Sequence, residues 1–121
     1  MGIKQRLLET APERVPAELA ATVRSFCEPI DVIRASYVGL TEVTEDFGYP
    51  REQLAVAFEL ATPSAETEEG DRELRLVADR FYESMPEDVQ AGGCNFLEPG
   101  AIGVWQEKAQ RVFARPRAPL P

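Results

Sequence analysis

Few groups in this chain could carry chemistry. Cys94 follows Gly92-Gly93, a setting in which a thiol nucleophile could sit on a tight turn, and Asn95 stands beside it. Tyr37 and Glu59 offer a hydroxyl and a carboxylate, and five acids, Glu66, Glu68, Glu69, Asp71 and Glu73, lie close together. A thiol nucleophile needs a base to take its proton or a positive neighbour to hold the thiolate. Histidine is absent from the whole chain. That removes Ser-His-Asp and Cys-His catalysis, the commonest general base and the usual zinc sites together. Cys27 and Cys94 lack the spacing of a redox or zinc motif and read as packed residues in a reducing compartment, with a disulfide between them left open. The acid cluster has the oxygen ligands that a hard cation takes. Acids at the start of a helix also answer its dipole while staying solvated. No metal, cofactor or catalytic residue is implied.

Binding is the better-supported class. Residues 31–61 alternate as two strands should, with Ile33, Ala35, Tyr37 and Gly39 on one face and Leu54, Val56, Phe58 and Leu60 on another, which predicts a hairpin. The first strand is apolar on both faces, as a central strand covered on both sides would be. Opposite the large apolar set of the second strand stand only Ala55, Ala57 and Ala61 with Glu59, a pattern that predicts a thinly covered or exposed face. The connection 44–52 carries Phe47 and Tyr49. Aromatic residues on a polar loop either fold back over a sheet edge or stand out as anchors for a partner. Phe47, Tyr49, Ala55, Ala57 and Glu59 are therefore the candidate partner-binding residues.

Three helical stripes position this hairpin. Pro16 suits a helix start, and Leu19, Val23 and Phe26 follow at helical spacing until Glu28-Pro29 ends the run. A second helix starts near Glu66 or Asp71 and reaches Met85 through Leu74, Val77, Ala78 and Phe81, with Pro86 closing it. Glu87 to Ala91 reads as a turn and Gly92 to Leu97 as a further strand with Cys94 and Phe96 facing inward. Pro99 opens a third helix carrying Ile102, Trp105, Ala109, Val112 and Phe113. The segment Ile3 to Leu8 leans toward an extended edge strand. Together these predict one α+β domain over 1–121, with a core at about 14–115. Its sheet is small and mostly antiparallel, with three to four strands packed on three helices, and a Pro-rich tail follows at 116–121.

At 121 residues the chain can bury roughly two thirds of its unfolded surface, so it needs no disulfide or metal to fold. Net charge is −8 and uneven: residues 63–98 net −7, whereas residues 99–121 net +3. The acidic body argues against nucleic acid, leaving only Arg111, Arg115 and Arg117 as a basic end. No apolar run is long enough for a membrane span and no signal peptide is evident, so a cytoplasmic location is expected.

The order of motifs adds one comparison. Ile33-Arg-Ala-Ser-Tyr37-Val38, then Leu54-Ala-Val-Ala-Phe58, a helix, Cys94-Asn-Phe96-Leu97, and finally Val112-Phe113-Ala-Arg115 resemble the C-terminal domain of the SseB family, the bacterial enhanced-serine-sensitivity proteins. The resemblance spans about residues 14–115. It implies an α+β fold and no catalytic residues. Three function classes follow. The first is a non-enzymatic protein-interaction module, possible as a homodimer. The second is an immunity or antitoxin-like acidic protein that blocks a basic toxin. The third is a small enzyme or ligand-binding domain using Cys94, Tyr37, Asn95 and the carboxylate of Glu59.

Overall fold

The structure, a computed structural model, describes residues 4–30, 33–44, 48–60, 68–97 and 102–115. The chain forms β1 (Lys4–Leu7), a 3-10 turn (Pro12–Arg14), α1 (Ala17–Cys27), β2 (Ile33–Thr44) and β3 (Arg51–Leu60). Then come α2 (Glu68–Ser84), α3 (Glu87–Gly92), β4 (Cys94–Leu97), α4 (Ile102–Lys108) and β5 (Gln110–Ala114). This is an α+β fold whose mixed sheet has five strands, somewhat larger than expected.

β2 is its axis. One edge pairs antiparallel with β3 from Ile33 to Val43, and the other edge is shared end to end, β5 taking Ala35 to Val38 and β1 taking Thr41 to Thr44. β4 runs parallel to β3 with Val56 opposite Cys94; the crossover through α2 and α3 makes this direction possible. α3 packs against β3 and adds Val89 to the core beneath it.

Two cores lie on the two faces of the sheet. On one, Val23, Phe26 and Cys27 of α1, Val77 and Phe81 of α2, and Val89 of α3 bury Val38, Val56 and Phe58. Phe58 meets Phe26 at 5.5 Å and Phe81 at 5.9 Å between ring centroids, a spacing that adds to simple burial. On the other face Trp105 and Ala109 cover Ala35, Tyr37, Ala55 and Ala57.

Three expectations change. The third helix ends at Lys108, and Val112 and Phe113 belong to β5 instead. The register of β5 on β2 slips between Ser36 and Tyr37, so Val112 and Phe113 both pack toward the α1 core. A bulge thus puts consecutive residues on one face, which imitates helical spacing. The expected turn at Glu87 to Ala91 is α3. The face of Ala55 and Ala57 is not thinly covered: both residues are fully buried, with Glu59 half-buried at its end. Their small side chains let Trp105 lie close to the sheet, so small size here marks close packing rather than exposure. Among the described residues, no helix is long and apolar enough to cross a membrane.

β5 is tied to α1. The Arg24 Nε donates to the Val112 carbonyl (2.8 Å). Arg115 donates to the carbonyls of Cys27 (3.1 Å), Glu28 (3.2 Å), Ile30 (3.2 Å) and Ile33 (3.2 Å). The guanidinium therefore caps the C-terminal end of α1, where helix carbonyls are unpaired and the dipole favours a cation.

Candidate functional site

The expected site residues divide. Tyr49 stands just before β3 and is 93% exposed; Gly48 and Pro50 beside it are exposed as well. Phe47 lies outside the described residues, as do the inward facing expected of the Phe96 side chain and the tail 116–121. Ala55 and Ala57 are sealed beneath Trp105 and can contact no partner. Within the acid cluster, Glu68 is exposed, and the side chains of Glu66, Glu69, Asp71 and Glu73 lie outside the description. Among the described residues no set of three acids or cysteines is placed to hold a metal ion.

The groups weighed for a small-molecule site fall on opposite faces. Cys94 packs against the α1 core. Burial pushes its thiol up from 9.0 to about 12, and the nearby Cys27 adds to the rise. Burial pushes Cys27 up to about 12 as well, although a hydrogen bond with Ser36 and the charge of Arg115 pull the other way. Both cysteines are free. Thiols shifted in this direction are protonated at neutral pH and so are poor nucleophiles and metal ligands.

On the α4 face the structure does bring polar groups together. The Tyr37 hydroxyl donates to Glu59 Oε1 (3.4 Å) and accepts from Gln106 Nε2 (3.5 Å), both long contacts for these atom types. Tyr37 lies opposite Arg111 on β5 and Ala57 on β3, and Ala57 lies opposite Asn95 on β4. Residues directly opposite share a face, so Arg111, Tyr37, Ala57 and Asn95 form one row. Such a row could orient a polar ligand. Its hydroxyl already has both a donor and an acceptor within the fold, which makes it equally a sealed end to the Trp105 layer. Gln106 and Arg111 are absent from the sequence-level site, because nothing in their spacing links them to Tyr37; the packing of α4 on the sheet brings Gln106, and the pairing of β5 with β2 brings Arg111.

The described surface includes two shallow grooves. One runs between α1 and the end of α2 along Ala21, Thr22, Ser25, Phe26 and Ser84. The other borders the exposed Arg14–Glu52 ion pair (3.0 Å) above Leu40 and Leu54.

Compared with known proteins, the chain matches no family profile, no curated protein and no solved structure.

Proposed function

We propose that this chain is a non-enzymatic cytoplasmic protein-interaction module of the SseB C-terminal type, binding through the turn that carries Tyr49. The observation that carries the reading is the exposure of Tyr49. A large aromatic ring held at 93% exposure between the two longest strands forfeits apolar burial in the free chain, and aromatic rings are the usual anchors of interfaces. Two further features support binding over chemistry: the thiols are held protonated, and the Tyr37 hydroxyl is engaged by Glu59 and Gln106. Opposite charge would steer a basic partner toward a chain of net charge −8, and a basic toxin is one partner of that kind.

Affinity capture from native cells at low salt, with wild type and Tyr49→Ala in parallel, tests the proposal. A partner retained by wild type and lost by the variant is the expected outcome. A variant that captures the same partners equally well refutes the role of Tyr49.

A further inference from the structure

β1 is joined to the domain by contacts that stop at Thr10. Its ladder partner is β2, through Lys4 to Leu7 against Thr44 to Thr41. Gln5 and Arg6 are exposed and Leu7 is half-buried. The Leu8 N–H donates to the Leu40 carbonyl (2.8 Å), and there the strand ends. Thr10 then fills the gap between β1 and β5. Its N–H donates to the Lys108 carbonyl (2.8 Å), its carbonyl accepts from Gln110 Nε2 (2.7 Å), and its hydroxyl accepts the Leu40 N–H (2.8 Å). Thr10 is thereby fastened to α4, β5 and β2 without help from β1. Residues before it can leave while the body of the sheet stays closed.

The seat that β1 occupies is shaped to its sequence. Leu7 rests over Gly39, where an added Cβ would lie 2.6 Å from Leu7 Cδ1, with Trp105 and Ala109 forming the rest of the floor. At the rim Glu42 receives two guanidinium bonds from Arg6, Nε to Oε1 at 3.1 Å and Nη2 to Oε2 at 3.3 Å. A foreign strand would need an arginine followed by a leucine in the same register to repeat these contacts. A second copy of the chain supplies both.

We propose that β1 is a strap that opens as a unit, and that the vacated seat takes β1 of a second copy, giving a reciprocal strand-exchanged dimer. Exchange repeats the Arg6 and Leu7 contacts of the seat between copies and rearranges Leu8 and Glu9, giving up the bond from the Thr10 hydroxyl to the Leu8 carbonyl (3.2 Å), so protein concentration sets the balance between closed and exchanged forms.

Amide exchange tests the opening. Leu40 turns its N–H and carbonyl to the β1 edge; by alternation Glu42 does the same, while Thr41 and Val43 face β3. Opening frees the Glu42 amide alone of these four, since Thr10 keeps that of Leu40. In the 121-residue chain Glu42 is expected to exchange at least about tenfold faster than Leu40, Thr41 and Val43. Equal rates overturn the strap. Cross-linking tests the exchange. Gln5 and Val43 are direct partners, at a spacing that a disulfide spans. Copies carrying Gln5→Cys alone are mixed at high concentration with copies carrying Val43→Cys alone and then oxidised. A covalent dimer containing one of each is expected. Its absence, when the double variant closes within a single chain, overturns the exchange; a double variant that fails to close overturns the seat itself.

Discussion

Replacing Gly39 by alanine probes the close approach of α4 to the sheet. The new Cβ would stand 2.6 Å from Leu7 Cδ1 and 3.1 Å from both Ala109 Cβ and Trp105 Cζ3, whereas carbon atoms prefer about 3.5–4.0 Å. The three neighbours respond differently. Leu7 Cδ1 is the far end of a rotatable side chain and can swing aside for about 0.5–1.5 kcal/mol. Trp105 belongs to α4 and Ala109 follows it directly, so both must shift with the helix, and overpacking of this kind costs about 1–3 kcal/mol in total. With one soft contact and two rigid ones, a loss of about 2 kcal/mol is expected, or about 8 °C in Tm for a domain of 121 residues. Urea and thermal unfolding followed by circular dichroism and Trp105 emission would measure it. Adding Leu7→Ala in the same chain removes the shortest contact, so the double variant should lose about 1 kcal/mol less than the two single losses combined. A Gly39→Ala loss below about 0.5 kcal/mol, within the range of neutral surface changes, or strict additivity with Leu7→Ala, would refute the packing argument.

Four further outcomes follow. Arg115→Ala should cost about 2–3 kcal/mol in denaturant unfolding, because the carbonyls of Cys27, Glu28, Ile30 and Ile33 lose a charged donor; Arg115→Lys should restore only part, since an ammonium lacks the planar fork. Phe58→Ala should cost about 3–5 kcal/mol, as its fully buried ring supports both Phe26 and Phe81. Stability should fall as pH rises from about 9 toward 12: the unfolded Cys27 thiol ionises near 9.0 while the folded one keeps its proton to about 12. The unfolded state then binds fewer protons, so each pH unit in that window lowers stability by up to about 1.4 kcal/mol through Cys27, and Cys94, pushed up in the same way, adds to the fall. Equilibrium urea titrations at pH 8 and 10.5, compared between wild type and Cys27→Ala, measure it. Tyr49→Ala should leave stability within about 0.5 kcal/mol, because a ring that is 93% exposed supports nothing in the fold.

Much of the fold was legible because its elements announce themselves locally. Pro16 and Pro29 bracket α1, Pro86 follows α2, and alternation marks β2 and β3. Two of the three misreadings share one cause, since each needed knowledge of what lies across the sheet. Val112 and Phe113 fit a helical stripe until the bulge opposite Ser36 and Tyr37 shows two neighbours facing one core. Ala55 and Ala57 looked like an uncovered face because size alone does not distinguish a missing partner from one packed at short range.

The candidate site divides along the same line. Composition by itself determined the chemistry that is missing, since a chain without histidine cannot build a histidine-based triad or zinc site however it folds. The alternation of the flanking strands also placed Tyr49 on an irregular connection. Tertiary structure alone decided that Tyr49 points to solvent, that Cys94 and Tyr37 lie on opposite faces of the sheet, and that Gln106 and Arg111 join Tyr37. Sequence carries propensity and period, which act over a few residues. Exposure, thiol acidity and strand partnership are set by contacts between residues far apart in the chain, and these exist only once β2 has gathered β1, β3 and β5 along its two edges.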